Sequence, residues 1–516
     1  MNINNIIILG GGSAGWMTAT TLIRLFPNKK ITLIESPNTS IVGVGESTLG
    51  QINWWLQLCN IKDSEFMKDC DASYKLSIKF IDFYKKNSGE FHYPFGIPFE
   101  NGLIANKNTW YFKKMIDDSL PVSDYANFLY PGMALVNNNT FGENEKGELG
   151  NFNLKMDSAY HFDAIKFGAS LKKNICIPEG VHHIEEDIKT IEQDEDGNII
   201  SLNKKHKADL YIDCTGFKSY LIGEILKVPF KSYSNLLPND SALATQIDYT
   251  DKEKELVPYT SCWAIENGWV WRIPSWQRIG TGYVYSSKFV SDDEAQKEFI
   301  NHLNIKYNYN ASNNIFKKIK MRVGLHERLF EKNVVAIGLA AGFIEPLESN
   351  GLYTVHQFLL KLVRLLKKET INQFDKDTYN LMCKEDFESF AEFVSLHYYL
   401  SKRNDTTYWK TLTNKSIKDL KLHPNLDISK MYYNKINNQY NSFDGLHCIG
   451  TGLHEFPIDE YEICLRNKTT DIKNFIKKNI ETSIKSRQLM IEAWNAEAKK
   501  KPKLIEVLKK IHEKSN

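Results

Sequence analysis

A glycine-rich loop has the residue types and the spacing that can hold a pyrophosphate. Residues 10–15 read Gly-Gly-Gly-Ser-Ala-Gly and follow the apolar run 5–9. In this pattern one glycine permits a tight turn, a second lets the backbone approach the phosphates, and a third lets helix and strand pack closely. Unpaired N–H groups at the start of the following helix attract an anion. The residues expected at the pyrophosphate are Gly10, Gly12, Ser13, Ala14 and Gly15.

A carboxylate stands where a dinucleotide site needs one. Residues 31–35 form a second apolar run, which ends at Glu35. The two runs, with the helical pattern 16–25 between them, predict a strand–helix–strand unit that opens a parallel sheet. An acidic residue at the end of the second strand is typical for binding a ribose hydroxyl. We therefore expect Glu35 to contact the adenosine part of the cofactor.

Residues 269–274 read Trp-Val-Trp-Arg-Ile-Pro, and they predict a stiff, bulky wall. Pro274 fixes its own φ and pushes the preceding residue into an extended conformation. Trp269 and Trp271 flank a single residue. Because tryptophan is highly buried on average, packing in a core is the alternative interpretation of this pair. The glycine loop earlier in the chain favours a functional role instead.

The spacing Trp-x-Trp-x-Ile-Pro, downstream of the glycine loop, resembles the flavin-dependent halogenases of the tryptophan halogenase type. Residues 208–217 (ADLYIDCTGF) and 338–348 (GLAAGFIEPLE) look like FAD contact segments of glutathione-reductase-like and hydroxylase-like flavoproteins. The loop 43–48 resembles the strap beside the flavin in the halogenases. The resemblance covers most of the first 365 residues. It implies further cofactor contacts at Gly45, Glu46, Gly338 and Leu339.

The resemblance implies a two-component enzyme. FADH2 and O2 would convert a halide ion (chloride, bromide or iodide) into hypohalous acid, which passes to a lysine that directs halogen onto an aromatic ring. No second nucleotide fingerprint is present, so a separate flavin reductase is expected to supply FADH2. Two alternatives stay open: a flavin-dependent aromatic monooxygenase of related fold, and a non-catalytic FAD-binding protein.

Lys79 matches the catalytic lysine of these halogenases. It lies in the alternating segment 75–80 (KLSIKF), which predicts a strand with Lys79 on its polar face. A solvent-facing lysine is the alternative interpretation. In the catalytic role, its ammonium group would donate a hydrogen bond to hypohalous acid, or a deprotonated amine would form a haloamine. The sequence does not choose between the two.

Glu348 lies in the segment 345–351 (EPLESNG), just before a predicted helix over 352–366. On its own it would complement a helix N-terminus. In the resembling family, the matching glutamate stabilises the cationic ring intermediate and accepts its proton, which needs a water-poor site. The backbone N–H groups of Asn350 and Gly351 would bind the halide. The family usually has threonine at the position of Asn350.

The substrate is expected to be an electron-rich, indole-like aromatic rather than strictly free tryptophan. Halogenases acting on free tryptophan carry His-Pro-Phe, whereas residues 92–95 here read His-Tyr-Pro-Phe. Tyr93 takes the place of the histidine, and Phe95 is kept and could stack on a ring. Trp269 and Trp271 would keep the substrate away from the flavin. Further aromatic candidates, for which core packing is the alternative, are Tyr432, Tyr433, Tyr440 and Phe443.

The elements predict an α/β fold. It comprises an FAD-binding, doubly wound, glutathione-reductase-like module with an inserted β-sheet, and a C-terminal, mostly helical substrate region. The expected module spans 1–365, with substrate segments interleaved at about 50–160, and the helical region spans 366–516 and packs with it as one body. Antiparallel strands are predicted over 181–204 and a buried strand over 334–340.

Composition excludes several other classes. The 516 residues include 65 basic and 63 acidic ones, a formal net charge of +2, so neither nucleic acid nor an anionic membrane is an expected partner. No two of the eight cysteines form a Cys-x-x-Cys pair. We therefore expect no metal site and reduced thiols, as in a cytoplasmic protein. The oligomeric state stays open, with a homo-oligomer among the options.

Overall fold

The chain has a mixed α/β fold with several sheets. The computed structural model describes residues 3–38, 46–100, 107–414, 444–455 and 470–513. The chain divides into two compact units, each assembled from three separate stretches. The first unit comprises Met1–Ser73, Tyr160–Asp248 and Ser275–Ala391, and the second comprises Tyr74–Ala159, Tyr249–Pro274 and Glu392–Asn516. The expected division at residue 365 stays a prediction.

A six-stranded sheet organises the first unit. Its strands pair in parallel, except for an antiparallel pair at one edge. Ile6, Ile8 and Ile212 have no exposed surface, because the strands of such a sheet are covered on both faces and are apolar throughout. The strand order is Phe330–Glu331, Val334–Ala336, Leu210–Asp213, Asn5–Leu9, Lys30–Glu35 and His182–Glu185.

Other elements complete the first unit. Its remaining strands are Glu46–Ser47, Ile191–Gln193, Ile199–Leu202, Phe230–Ser232, Ser241–Ile247, Ile279–Tyr285, Lys317–Lys320, Gly324–His326 and Gly342–Phe343. Its α-helices are Ser13–Leu25, Ile52–Leu58, Asp63–Phe66, Ala164–Leu171, Asp292–Tyr307 and Gly351–Leu366. Its shorter turns of helix are Lys172–Cys176, Gly216–Lys218, Tyr220–Ile225, Gly338–Ala340 and Pro346–Glu348.

Four strands lie side by side in the second unit, in the order Gly268–Pro274, Tyr259–Ile265, Ser77–Ile81 and Glu90–Pro94. The middle pair is parallel and the two outer pairs are antiparallel. The helices of this unit are Lys107–Ile116, Asp124–Leu129, Met133–Asn138, Leu154–Asp157, Lys252–Glu255, Thr407–Thr413, Asp444–Gly452, Thr470–Ala498 and Leu504–His512. Three elements run across a boundary between stretches: Ser73–Lys75, Ala159–Phe162 and Gln373–Tyr399.

Two strand predictions are corrected by the structure. The predicted strand over 334–340 ends at Ala336, and a 3₁₀ turn follows, because Gly338 has φ +72°, which an extended strand excludes. Within 181–204, Ile191–Gln193 and Ile199–Leu202 pair antiparallel as predicted. His182–Glu185 instead pairs in parallel with Lys30–Glu35. In the part of the chain that the structure describes, no helix is long and apolar enough to cross a membrane.

Candidate functional site

The glycine loop (residues 10–15) follows the first strand, and Gly10 and Gly15 leave no room for a side chain. Gly10 has φ +115°, and a Cβ there would lie 2.3 Å from the carbonyl oxygen of Cys214. A Cβ on Gly15 would lie 1.9 Å from the carbonyl oxygen of Gly10. Gly12 is the N-cap of the helix Ser13–Leu25 and makes no side-chain capping bond. The loop therefore fits a pyrophosphate, whose oxygens would accept hydrogen bonds from the first N–H groups of the helix.

Ser13, Ala14 and Gly338 pack closely around this loop. The Ser13 hydroxyl donates to the carbonyl of Ala164 over 2.7 Å, so it holds a neighbouring helix in place. A Cβ on Gly338 would lie 2.8 Å from the Cβ of Ala14. The structure thus brings the predicted contact segment at Gly338 and Leu339 against the glycine loop. No sequence pattern required this approach over more than 300 residues of chain.

Glu35 also lies at the glycine loop, since a Cβ on Gly11 would lie 1.5 Å from its carboxylate. His183 Nε2 lies 2.7 Å and Lys172 Nζ 2.9 Å from Glu35 Oε1. Among the described residues, Glu35, His183 and Glu185 form a group whose ligand atoms all lie within 4.8 Å of one another. The Lys172 ammonium already neutralises Glu35, which disfavours a metal cation there. The role of Glu35 as the ribose contact stays a prediction.

Asp213 is a residue of this region that the sequence reasoning did not single out. Its side chain has no exposed surface. It accepts hydrogen bonds from the backbone and hydroxyl of Thr215 and from the backbone N–H groups of Leu221 and Ile222. Such bonds satisfy a buried carboxylate and the start of the helical turn. In the sequence, Asp213 could have been singled out as an acidic residue at the end of a strand, two residues before Thr215-Gly216.

Part of the predicted flavin strap can be placed. Gly45 lies outside the described residues, and for Glu46 the backbone alone is described. Glu46–Ser47 pairs antiparallel with residues 161 and 162. The Thr48 hydroxyl accepts from the backbone N–H of Tyr160 over 2.9 Å. The Ser47 hydroxyl lies 3.1 Å from that of Ser349. The end of the strap is therefore tied to the turn that carries Glu348.

Glu348 ends the 3₁₀ turn Pro346–Glu348 and has no exposed surface. Ser349 then adopts φ +59°, and the helix Gly351–Leu366 begins after the N-cap, Asn350, which makes no side-chain capping bond. The Asn350 amide donates to the Ile344 carbonyl over 3.4 Å, while its buried Oδ1 accepts no hydrogen bond from the residues that the structure describes. The first N–H groups of this helix are thus available to an anion. The water-poor position expected of Glu348 is present.

Lys79 lies in the second unit, in the strand Ser77–Ile81, which we call the lysine strand. Its side chain is 17% exposed, and its Nζ lies 2.7 Å from Glu90 Oε1. The same Nζ lies 5.4 Å from the centre of the Tyr259 ring. Directly opposite Lys79 stands His92, whose Nδ1 lies 3.0 Å from the Ser77 hydroxyl. The amine thus lies mainly buried on an aromatic face, not in open solvent.

The protonation state of His92 follows from its surroundings. Burial, and then the nearby charge of Lys79, lower the pKa of His92 to about 3. A base loses its proton when desolvation and a neighbouring cation both penalise its charged form. His92 is therefore neutral at physiological pH. The charged groups on this face of the two paired strands include Lys79 and its partner Glu90. Both His92 and Glu90 occupy alternate positions of one strand, a pattern that could have revealed them in the sequence.

Trp269 and Trp271 lie in the strand Gly268–Pro274 and are nearly buried, at 1% and 6% exposure. Their ring centres are 6.2 Å apart. Trp271 stands opposite Cys262, whereas Lys79 stands opposite Ser261. Because successive side chains of a strand point to opposite faces, the two tryptophans occupy the face of the sheet away from Lys79. Their role as a partition stays a prediction.

Tyr93 and Phe95 lie at the end of the strand next to the lysine strand and contact each other. Their ring centres are 6.2 Å apart, edge to face, and Tyr93 makes a similar contact with Phe393 over 6.3 Å. The Lys75 ammonium lies 4.9 Å from the centre of the Phe95 ring. The two rings thus belong to an aromatic cluster. The further candidates Tyr432, Tyr433, Tyr440 and Phe443 lie outside the described residues.

Comparison with known proteins adds independent findings. The family model named tryptophan halogenase matches residues 5–443. The chain is 30% identical over 489 residues to the tryptophan 7-halogenase RebH of Lentzea aerocolonigenes. This match covers 88% of this chain and 90% of that protein. Among solved structures, apo VirX1 is 36% identical with a TM-score of 0.88, covering 98% of this chain and 99% of that one. The tryptophan 6-halogenase SttH of Streptomyces toxytricini is 27% identical with a TM-score of 0.82, covering 98% and 99%.

Proposed function

The chain belongs to the tryptophan halogenase family, and from this premise we propose that it halogenates an electron-rich, indole-like aromatic ring. The proposal includes FADH2 and O2 as co-reactants, a halide ion as the halogen source, and a separate flavin reductase as partner. One observation on this chain carries the proposal beyond family membership: Lys79 is a mainly buried amine on an aromatic face. Hydroxylation by a flavin enzyme gives such an amine no evident task.

The glycine loop supports FAD as the cofactor, since a Cβ at Gly10 or Gly15 would collide with backbone. We propose that the loop and the start of the helix Ser13–Leu25 hold the pyrophosphate, that Glu35 holds the ribose, and that Gly338 and Leu339 lie against the flavin part. Once bound in reduced form, the cofactor would supply the oxygen chemistry that turns a halide into hypohalous acid. The doubly wound FAD-binding module expected from the sequence is part of this proposal.

Lys79 is proposed to receive the hypohalous acid. Its carboxylate partner, 2.7 Å away, matches an ammonium rather than a neutral amine. An ammonium can donate a hydrogen bond to the oxygen of hypohalous acid, which makes the halogen more electrophilic and holds it toward the ring. The haloamine alternative requires that the amine first lose its proton. The geometry therefore favours the hydrogen-bonding role.

Glu348 is proposed to stabilise the positive charge that develops on the ring and to take the ring proton. Its carboxylate has no exposed surface, and electrostatic stabilisation is strongest where water is excluded. The helix start at Asn350 and Gly351 is proposed to bind the halide through backbone N–H groups. Trp269 and Trp271 are proposed to keep the organic substrate from reaching the flavin, so that halide is the nucleophile oxidised there.

Tyr93 and Phe95 are proposed to contact the substrate ring. The two rings contact each other edge to face, and aromatic side chains pair favourably with another aromatic ring such as an indole. Tyrosine at position 93 cannot supply the imidazole of the free-tryptophan halogenases. Indoles other than free tryptophan are therefore the first substrates to test.

The decisive experiment supplies FADH2 through a flavin reductase, with bromide and a panel of indoles, and examines the products by mass spectrometry. Halogenation gives the isotope doublet of bromine in the product. A gain of one oxygen instead would identify a monooxygenase. Bound FAD with no turnover across chloride, bromide and iodide would indicate a binding protein and contradict the proposal.

A further inference from the structure

We propose that Lys172 and His183 are positioning residues for the cofactor, and that together they hold the Glu35 carboxylate ready for the adenosine ribose. The inference rests on the proposed function and adds two residues to its FAD site. Lys172 Nζ lies 2.9 Å and His183 Nε2 lies 2.7 Å from the same oxygen of Glu35, Oε1. Because an ionised carboxylate only accepts hydrogen bonds, both side chains donate to it.

The second carboxylate oxygen of Glu35 lies at the glycine loop. A Cβ on Gly11 would lie 1.5 Å from Oε2, so the absence of a side chain there makes room for the carboxylate. Two protein donors thus hold Oε1, while Oε2 lies beside the loop proposed to hold the pyrophosphate. Oε2 can therefore accept a hydrogen bond from a ribose hydroxyl of a nucleotide bound at this loop.

Strand pairing places His183 next to Glu35. The strand that carries His183 runs parallel to the strand that ends at Glu35. In this register Leu33 stands opposite His183, and Glu35 stands opposite Glu185. Since alternate residues of a strand point to the same face, His183 lies diagonal to Glu35.

Trp16 connects both donors to the helix that begins at the glycine loop. The His183 ring centre lies 5.4 Å from that of Trp16, and the Lys172 ammonium lies 5.3 Å from the centre of the same side chain. Trp16 is 2% exposed. Lys172 itself begins the π-helical turn Lys172–Cys176, a geometry that is frequent at functional sites.

The carboxylate of Glu35 is largely removed from water, and so are its two donors. The side chains of Glu35, His183 and Lys172 are 18%, 15% and 30% exposed. A carboxylate in such a position needs hydrogen-bond partners, and here it has two before a ligand arrives. Fixing its orientation in advance lowers the entropic cost of binding the ribose. The Lys172 charge also offsets the repulsion between Glu35 and a pyrophosphate at the loop.

The first unit contains a matched control. Glu186 Oε2 lies 2.8 Å from Lys205 Nζ and 3.0 Å from His206 Nε2. This group has the same three residue types, and nothing places it at the glycine loop. Lys205→Met and His206→Phe thus remove the same kinds of donor from a carboxylate that is not proposed to meet the cofactor.

The test measures the Kd of FAD for the full chain by fluorescence, and the Kd of an FAD analogue whose adenosine lacks both ribose hydroxyls. The wild type should bind FAD about tenfold more tightly than the analogue, since the analogue loses a hydrogen bond to a charged group. His183→Phe keeps a ring beside Trp16 without the donor, and it should reduce this ratio about threefold or more. Lys172→Met should reduce the ratio too, and it should also weaken the analogue because the repulsion does not depend on hydroxyls.

The conservative variant separates positioning from a purely structural role. His183→Gln retains an N–H donor and should recover part of the ratio, whereas Lys205→Met and His206→Phe should match the wild type. A purely structural role would weaken FAD and the analogue equally and leave the ratio unchanged.

A bromination assay with FADH2 and an indole, run in parallel, distinguishes failure of the inference from failure of the proposed function. If the wild type brominates an indole but binds FAD and the analogue equally, there is no ribose contact to position. If it brominates an indole and both His183→Phe and Lys172→Met keep its ratio, Glu35 needs neither donor. Either result overturns the inference and leaves the proposed function standing. If the wild type neither binds FAD nor brominates any indole, the proposed function fails and the role of both residues fails with it.

Discussion

The hydroxyl of Ser47 lies 3.1 Å from the hydroxyl of Ser349, although 302 residues of sequence separate them. Ser47 lies in the part of the strap that the structure describes (residues 46–48), and Ser349 follows Glu348 directly. Both are nearly buried, at 4% and 5% exposure. This hydrogen bond therefore connects the segment proposed to lie beside the flavin with the turn proposed to act on the substrate ring.

Substituting Ser47 and substituting Ser349 each remove this hydrogen bond, but the two substitutions should lower the free energy of unfolding by different amounts. Ser47→Ala should lower the free energy of unfolding by about 1 kcal/mol, the usual net worth of one buried bond. Ser349→Gly loses the same bond, but glycine adopts φ +59° without strain, so its cost should be smaller. Urea unfolding of both variants measures the difference. A larger loss for Ser349→Gly would show that the Ser349 side chain has another role.

Lys79→Ala should reduce halogenation by at least about a hundredfold, since the electrophile is no longer held at the ring. FAD binding should not change, because Lys79 belongs to the second unit and the glycine loop to the first. Product formation by mass spectrometry and FAD titration by fluorescence check the two parts. Lys79→Met, which keeps most of the side-chain volume, is the control for packing. Turnover retained in both variants would remove the lysine from the mechanism.

The combined variant Trp269→Ala, Trp271→Ala should lose halogenated product and form hydroxylated product or uncoupled peroxide. Each large-to-small change also costs about 3–5 kcal/mol in a well-packed core. The combined variant Trp269→Phe, Trp271→Phe keeps most of the bulk and should stay folded with coupling nearer to the wild type. The ratio of halogenated product to FADH2 consumed is the measurement. Intact halogenation with normal coupling in the alanine variant would refute the partition role.

Asn350→Thr should retain halogenation, because the proposed halide site uses backbone N–H groups. It should also raise the free energy of unfolding by about 1 kcal/mol, since the buried Asn350 Oδ1 accepts no hydrogen bond within the described part of the chain and such a group is costly. Competition between chloride and bromide, together with urea unfolding, tests both statements. A complete loss of turnover would mean that the Asn350 side chain itself contacts the halide.

Acid should destabilise the protein through His92 and His356. Burial is the larger cause, and the charge of a nearby lysine is the smaller one; together they lower the pKa of each histidine from 6.5 to about 3. Below about pH 6.5 the unfolded chain binds protons that the folded chain does not, so stability falls as the pH drops toward 3, by up to about 1.4 kcal/mol per pH unit for each histidine. His92→Gln and His356→Gln should each flatten the dependence of unfolding free energy on pH. An unchanged slope in both would contradict their neutral state.

Local patterns predicted the elements around the glycine loop well. Asn5–Leu9 and Lys30–Glu35 are apolar runs of parallel strands, and their position is set by burial on both faces. The predicted strand 334–340 was too long because a positive φ at Gly338 cannot be seen in an apolar run. The predicted strand over residues 75–80 is likewise interrupted, at Leu76.

Contacts between distant segments could not be predicted in the same way. The partnership of Lys79 and Glu90 depends on strand register, and the approach of Gly338 to Ala14 depends on packing over a long separation. A single sequence shows residue types and local periodicity, but it does not show which faces meet. For the same reason, the placement of both tryptophans on the face opposite Lys79 appeared only in the structure.

The interleaved stretches have a consequence for biosynthesis. The first unit needs chain up to Ala391, and the second contains both Tyr74 and residues beyond Glu392. Neither unit can complete its fold until synthesis has passed Ala391. Native contacts between segments that are far apart in sequence form late, and apolar surface stays exposed until they do. Chaperone co-expression should therefore improve the recovered yield, and no contiguous fragment can serve as a stand-alone version of either half.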